Sequence, residues 1–522
     1  HAVAYSNWDF NPHFFKIPPL LSYVLFPVYG LIYLMFKAAL HFTAVDFARL
    51  FLEDPSIFYL SGRMLFGVVL GTASVWVLYR IGDLIAGSKV GKLAAFLLAV
   101  NFLHVRDSHY LYADIPMIFA MLCALFFAVK YTVNRSGRGW LTASVWAGIA
   151  IAFKYIAAPI GIAVIWAAGR VAGEGLAFKW NYRRAAAAAA GCAAVFVLLN
   201  PFAVLDPAYF LRELRTQAQA ESSVGVWHHA IYSLLEGGGT WLLLAGFAGL
   251  IAAWKKNRLF SFFWSFPFIY YGMICLFSQP YERYAMPIVP FMCLGAAHAV
   301  NAMAGRFKSD PMRSAVLFCL VIVISIAPIT KSLQLDCLTL NADTRTLAKD
   351  WVEKRLPAGS GIVLEHGAFS PRLWQTSEQI RQKSAELKAT DPYASSKTKK
   401  LDLLAKIAES KITYRVYFLN EKGRERAVFG SASPGIDADL GAFERSGVRY
   451  YVRYRHPGQS RFFEDRLASR ARPLAVFSPY RNTDKINTQD EWANVALPFR
   501  SSELFSRVRP GPYLEIYEIV NR

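Results

Sequence analysis

Charge is scarce in this sequence. Only 18% of its 522 residues are Asp, Glu, Lys or Arg, where a soluble chain carries about 25%. The deficit is uneven: apolar runs dominate from about Pro18 to Lys331, and the stretch after Leu338 has ordinary soluble composition. A wholly soluble globule is therefore excluded. The six cysteines form neither a zinc spacing nor a disulfide framework. Cys123, Cys192, Cys275, Cys293 and Cys319 lie inside apolar runs and Cys337 stands alone just after the last, which reads them as small hydrophobes in helix packing. The soluble stretch also lacks a Gly-rich phosphate loop, a nucleophile constellation and a metal motif. Its lone His366 and His456 read as surface residues. Acidic residues number 37 against 57 Lys and Arg, a net charge of +20. Such an excess is one sign of nucleic-acid binding. Here, though, many of the cations sit in short loops between apolar runs, which is a topology signal, and no nucleic acid is expected as a partner. The remaining cations suit anionic lipid headgroups. The chain opens on His1-Ala2-Val3-Ala4-Tyr5 without an initiator Met, a signal peptide or a first apolar span, so a short N-terminal piece is expected upstream.

A membrane-crossing helix needs about 20 mostly apolar residues. Candidate spans are Ser61–Arg80, Gly91–Tyr110, Ile115–Lys130, Trp140–Lys154, Ala157–Arg170, Ala185–Leu205, Gly239–Trp254, Phe260–Phe277, Met286–Met303 and Ser314–Thr330. Every alternate loop is basic: Arg80, Lys89 and Lys92; Lys130, Arg135 and Arg138; Arg170, Lys179, Arg183 and Arg184; Lys255, Lys256 and Arg258; Arg306, Lys308 and Arg313. These loops are expected in the cytoplasm, and the others, with everything after Lys331, outside it. Parity then requires Trp140–Arg170 to cross twice, as two short helices meeting near Lys154. The segment before Ser61 must lie outside, so Pro18–His41 is read as an interfacial helix, with a re-entrant segment as the alternative.

Three parts follow: residues 1–60, an outer loop with interfacial helices; 61–331, a membrane core of about ten spans; and 332–522, a soluble α/β domain on the periplasmic side. In the last, Thr344–Leu356 and Lys397–Ser410 read as helices. Gly361–Glu365, Tyr414–Leu419, Val448–Tyr454, Leu474–Phe477 and Tyr513–Ile519 read as strands. The earlier part of the polar stretch Gln375–Lys400 reads as a mobile loop.

Ionisable groups near membrane depth are costly and tend to be functional. Four outward segments hold them. Asp9 to Leu20 places Lys16 before Pro18 and Pro19 at the headgroup boundary, where it meets a lipid phosphate or simply snorkels. Arg106 to Pro116 reads as a tight turn holding Arg106, Asp107, His109 and Asp114. Asp114 is either a helix cap or a catalytic or substrate-binding acid. Lys154-Tyr155 sits at the junction of the two short helices, deep enough to need an anionic partner or else reaching the interface. Gln279 to Pro290 puts Arg283 on the outer side, ready to grip phosphate oxygens or to pair with Glu282 or another carboxylate.

The order of these motifs resembles the GT-C superfamily of membrane glycosyltransferases. The nearer likeness is to the dolichyl-phosphate-mannose protein mannosyltransferases (family 39) and bacterial relatives such as the lipid A aminoarabinose transferase. Asn11-Pro12-His13-Phe14-Phe15-Lys16-Ile17-Pro18-Pro19-Leu20 resembles the family's Lys-Pro-Pro-Leu segment. Arg106, Ser108-His109 and Asp114-Ile115-Pro116 are similar to its second outer loop. Gly148 to Tyr155 resembles its Gly-Leu-Ala…Lys-Tyr motif, and Arg283-Tyr284 with Pro287 and Pro290 its Arg-Tyr…Pro…Pro motif. Asn200-Pro201-Phe202 and Gly511 to Tyr517 match habits of the bacterial members.

The resemblance implies a multi-span α-helical GT-C fold with a C-terminal α/β domain on the periplasmic side of a bacterial inner membrane. It implies inverting transfer of a sugar from a polyprenyl-phosphate donor to an envelope glycolipid, glycan or protein. Its leading acid, an Asp-Glu motif, falls upstream of Asp9. Asp9 aligns with the family's gly-asp position and stands with Asp114 as a catalytic candidate. Lys16, Arg106, His109, Lys154, Arg283 and Tyr284 are the implied substrate-binding set, with His228 and His229 placed to touch the acceptor or merely to line the interface. Phe15 stands where some relatives hold a metal-binding Glu, so no cofactor is expected, with a divalent metal, for which the sequence offers no clear site, as the alternative. The rival classes are a transporter or lipid flippase, which needs ionisable groups along a path through the spans, and an inactive membrane-anchored binding protein.

Overall fold

In the computed structural model the described residues are 2–134, 137–171, 179–218, 225–256, 261–277, 281–367, 369–390, 395–420, 433–455, 462–481 and 501–520. The chain divides into two compact units, one of His1–Ala44 with Asp54–Ser332, the other of Val45–Glu53 with Leu333–Arg522.

The first unit is helical. Among the described residues, six helices are long and apolar enough to cross a membrane: Leu20–Leu40, Ser56–Ala86, Asp114–Asn134, Tyr182–Leu199, Glu282–Ala304 and the one that starts at Asp310. Counting each of two bent pairs as one span gives eight. One pair is Ser88–Ala99 with Phe102–Ser108, bent by 57°, and the other is Gly225–Gly238 with Thr240–Lys255, bent by 111°. The remaining apolar helices are short, Gly139–Phe153, Tyr155–Gly169 and Phe262–Ile274. The apolar runs thus fold as helices where the sequence places them, but they are broken more often than a count of about ten simple spans implies. Leu20–Leu40 satisfies the length for crossing, so the interfacial placement is one of two that its length allows.

The breaks have local causes. At the first bend the Asn101 side chain accepts hydrogen bonds from the amides of Leu103 and His104 and so caps a new helix, satisfying donors that helix starts leave open. Lys154 is extended (φ −159°, ψ 126°) and ends the helix before it, and Pro159 starts the next. Gly239, at φ 106°, takes the sharp turn of the second pair. Helices approach closely through glycines: a Cβ on Gly249 would lie 1.8 Å from the Gly295 carbonyl oxygen, the small-residue packing that membrane helices favour.

Two loops expected on one face do meet: Asn11 donates to Asp206 at 3.3 Å, and Tyr209 to the His13 carbonyl at 3.1 Å. Asn101, at the bend inside an expected span, donates to the Gly238 carbonyl at 3.1 Å. At the other end Arg184 reaches the Tyr131 hydroxyl at 3.0 Å.

The second unit carries a six-stranded sheet. Its strands are β3 (Gly361–Leu364), β4 (Arg415–Asn420), β5 (Gly435–Asp437), β6 (Val448–Tyr454), β7 (Ala471–Phe477) and β8 (Leu514–Ile519), in the order β5-β4-β3-β6-β8-β7. The short antiparallel pair β1 (Arg170–Val171) and β2 (Lys179–Trp180) belongs to the membrane unit. β3, β4, β5 and β6 run parallel, and β8 is antiparallel to both β6 and β7. Alternate residues feed two cores. Ile362, Leu364, Tyr450 and Val452 face Ala348 and Val352 of helix Thr344–Arg355, and Val363 and Tyr451 pack with Phe443 and Phe463.

Two readings of this unit need correction, and one strand, β5, went unread. Ser377–Thr390 is a helix, not a mobile loop. Its apolar stripe is too thin to read locally, and tertiary packing supplies the rest: Ile380 packs on Leu401 and Ala405, Ser384 donates to Asp402 at 2.7 Å, and Gln379 bonds both the amide and carbonyl of Val416. β5 has three residues, too few for an alternation to register. His366 is not a lone surface residue, since its ring lies 4.5 Å from Phe369 and 5.9 Å from Tyr454. His456 falls outside the described residues.

Candidate active site

The segments read as outward loops bring a cluster of buried charges together in the membrane unit. Asp114 is the first residue of its helix, and its Oδ1 accepts a hydrogen bond from Lys154 Nζ at 2.6 Å. Arg283 Nε lies 3.8 Å from Asp114 Oδ2. The side chains of Lys154, Asp114 and Arg283 are only 11%, 3% and 6% exposed. Asp114 is therefore the anionic partner that Lys154 requires, and it favours the helix dipole by its position while its carboxylate engages the two cations.

A second set adjoins the first. Arg106 Nε donates to Asp107 Oδ1 at 3.2 Å, and Arg106 Nη1 pairs with Glu282. Asp107 lies within electrostatic reach of Asp114 and Arg283. Arg106 and Asp107 are held on the capped helix Phe102–Ser108, not in a turn, because Asn101 starts that helix five residues before Arg106. Glu282 pairs with Arg106, which leaves Arg283 to Asp114. The sets meet through neighbours in sequence, Arg106-Asp107 and Glu282-Arg283. Lys331 donates to the Glu236 carbonyl near Phe102.

Tyrosines wall the first set. Arg283 lies 4.2 Å from the Tyr281 ring and 4.8 Å from that of Tyr112, and Lys154 lies 5.0 Å from Tyr284 and 5.3 Å from Tyr112. Aromatic faces attract cations, most when water is excluded. Even so, hydrogen-bonding capacity is left over. Arg283 Nε and Nη1, Arg106 Nη2, Tyr155 OH and Tyr270 OH are buried without a hydrogen-bond acceptor. Asp107 Oδ2, Asp114 Oδ2 and Glu282 Oε1 are likewise buried without a hydrogen-bond partner, and the Tyr155 ring packs on Phe196 and Phe210. Buried polar groups are nearly always paired, so this constellation is suited to a polar ligand, with the Arg283 donors available to its acceptor oxygens.

Of the residues singled out from sequence, Asp114, Lys154, Arg283, Tyr284 and Arg106 converge here. Asp9 is exposed and pairs with His13 at 3.1 Å. Lys16 is exposed beside the buried Phe15, which packs on Tyr209 and Phe210. The Nδ1 of His109 bonds its own helix, at the Val105 carbonyl, 2.8 Å away. His229 is buried and bonds Ser233 at 2.9 Å, and His228 packs on His229 and Tyr232. Sequence reasoning did not assign roles to Asp107, Tyr112 or Tyr281, although all three lie inside its motifs. Tyr270 and Lys331 carried no local signal, one inside a span and one at its end. Among the described residues, no three His, Cys, Asp or Glu side chains gather as a metal site. Cys123, Cys192, Cys275 and Cys293 are buried thiols, and Cys319 and Cys337 are exposed ones.

No curated protein matches the chain. Solved structures similar to it include ArnT from Cupriavidus metallidurans in the apo state, 11% identical over 84% of this chain and 82% of that one, TM-score 0.48. ArnT from the same organism bound to undecaprenyl phosphate is 14% identical over 97% and 88%, TM-score 0.47. The apo oligosaccharyltransferase of Archaeoglobus fulgidus is 10% identical over 99% and 84%, TM-score 0.48. Residues 58–202 match the family described as dolichyl-phosphate-mannose-protein mannosyltransferase, so the stretch that holds Arg106, Asp114 and Lys154 carries the pattern of that family of membrane glycosyltransferases.

Proposed function

We propose that the chain transfers a sugar from a polyprenyl-phosphate donor to a hydroxyl or phosphate of an envelope glycolipid, glycan or protein, with inversion, on the extracytoplasmic face of a bacterial inner membrane. One observation carries the reading: Arg283 Nε and Nη1 are buried without an acceptor, beside the Lys154–Asp114 pair. A guanidinium offers two parallel donors that fit phosphate oxygens, and family resemblance supplies the lipid.

The acceptor oxygen attacks the anomeric carbon as the bond from that carbon to the phosphate oxygen breaks. The electron pair leaves with the polyprenyl phosphate, and the acceptor proton passes to a carboxylate. Arg283 and Lys154 meet the charge that grows on the phosphate, in a site from which water is largely excluded. Asp114 holds both cations before the donor arrives and is freed in part as they turn to phosphate, which makes it an assisting base. The roles of Asp9, Lys16 and His109 in this reaction rest on their place in the motifs, and those of His228 and His229 on their place in the long loop between Asn200 and Gly238.

The test uses the full-length gene product in detergent with radiolabelled polyprenyl-phosphate sugars, with and without crude envelope acceptor. Acceptor-dependent release of polyprenyl phosphate that Arg283→Ala and Asp114→Asn both abolish is the expected outcome. Folded protein that releases none from any of several donor sugars would overturn the reading in favour of a membrane-anchored binding protein.

A further inference from the structure

Tyr270 has no part in the reaction above and no motif marks it. It lies near the end of helix Ser261–Ile274, which packs against Pro159–Gly169 and against the 3-10 helix Glu282–Ile288. The first of these follows Lys154 closely, and the second contains Arg283 and Tyr284. The ring of Tyr270 continues an aromatic stack: it lies 5.6 Å from Phe266, whose ring lies 5.2 Å from Phe291. Phe263, Phe266, Tyr270 and Ile274 follow helical spacing along one buried face. At the last aromatic position the stack changes from Phe to Tyr, and the hydroxyl so added is fully buried, with no hydrogen-bond partner.

That hydroxyl is a cost to folding. A phenol taken out of water without a partner forfeits its hydrogen bonds to water, and phenylalanine would fill the same space without the loss. The Tyr270 helix packs on the 3-10 helix that carries Arg283 and Tyr284, which sets it on the side of the donor-rich cluster, with Asp114 and Tyr284 among the electrostatic neighbours of the hydroxyl.

We infer that the Tyr270 hydroxyl is a ligand-contacting donor, a hydrogen bond to the phosphate-bearing ligand held by Arg283. This rests on the reading of the cluster as a lipid-phosphate site. A phosphate has more acceptor positions than one guanidinium can fill, and a phenol supplies a further donor without adding a fourth cation to Arg106, Lys154 and Arg283. The stack through Phe266 and Phe291 fixes the ring, so the hydroxyl is held before the ligand arrives and pays little ordering entropy on binding.

The test is binding of polyprenyl phosphate, the lipid alone, to full-length protein in nanodiscs, with thermal unfolding of the free protein as a second readout. Tyr270→Phe is expected to weaken binding about tenfold, while the unfolding midpoint stays level or rises, since a buried unpaired group has gone. Arg283→Ala tests the reading beneath it and is expected to abolish binding. Binding within twofold of the parent in Tyr270→Phe, with Arg283→Ala defective, would overturn the inference and spare the reading. A fall of several degrees in the Tyr270→Phe midpoint would also overturn it, showing that the hydroxyl serves the fold. Equal binding by Arg283→Ala and the parent, or none by either, would remove both.

Discussion

Replacing Asp114 by Asn keeps the shape of the side chain and removes its charge, leaving Lys154 and Arg283 buried without their shared carboxylate. At 2.6 Å the Lys154–Asp114 attraction is about 6 kcal/mol at an effective dielectric near 20, before desolvation is set against it. Stranding one member of a buried pair costs about 3–5 kcal/mol, and burial of both partners places this pair in that class. The unfolding midpoint of the membrane unit should fall on the order of 5–10 °C. Adding Lys154→Met to Asp114→Asn removes the stranded ammonium and should recover part of the loss, a coupling of about 1–3 kcal/mol. The assay is thermal unfolding in one detergent of the parent, both single variants and the double. An Asp114→Asn midpoint within one degree of the parent, or a double variant no more stable than Asp114→Asn, would show that the pair does not hold the site together and would refute the argument.

Arg283→Lys keeps the charge but loses the two-pronged donor, and polyprenyl phosphate affinity should drop at least tenfold, measured by titration in nanodiscs. Gly67→Ala places a Cβ 1.9 Å from the Ser108 carbonyl oxygen; the helix bearing Arg106 and Asp107 must move, at about 1–3 kcal/mol, which unfolding and transfer assays should both register. In the sheet-bearing unit the Arg449 hydrogen bond, with help from Arg472, holds the Glu518 carboxyl below the usual carboxylate range. A depressed folded value gives stability that is present above the unfolded value of about 4.3 and lost as pH falls through the folded one. Glu518→Gln should therefore flatten the loss of hydrogen-exchange protection in β7 and β8 below about pH 5, a modest effect because both arginines are exposed. An unchanged pH profile would show that the pairing adds nothing.

The resemblance to membrane glycosyltransferases read from the motifs is borne out by the family match at residues 58–202, and so is the division into apolar helices followed by a sheet-bearing region. Apolar runs are legible because a helix in lipid must satisfy its backbone alone. β6 was legible to the residue, Val448–Tyr454, because it alternates and is rich in tyrosine. What stayed hidden depends on distant partners. Ser377–Thr390 is a helix because Leu401 and Ala405 cover Ile380, and no window along the chain contains both sides of that contact. The same holds in the candidate site. Charges at Arg106, Asp114, Lys154 and Arg283 were visible one at a time, but the pairing of Arg106 with Glu282 and of Arg283 with Asp114 is a matter of three-dimensional register. Tyr270 looks like any span aromatic until its hydroxyl is found without a partner.

The break at Lys154 leaves two short apolar helices. Gly139–Phe153 has 15 residues and Pro159–Gly169 has 11, lengths of about 22 Å and 17 Å at 1.5 Å per residue. A bilayer's hydrocarbon layer is about 30 Å thick. Neither helix alone is long enough to match that layer. Eight of the eleven residues of Pro159–Gly169 are buried against other parts of the chain, so protein and not lipid surrounds most of the shorter helix. Non-helical backbone at membrane depth is tolerated where protein covers it, and the extended, buried Lys154 stands at such a place.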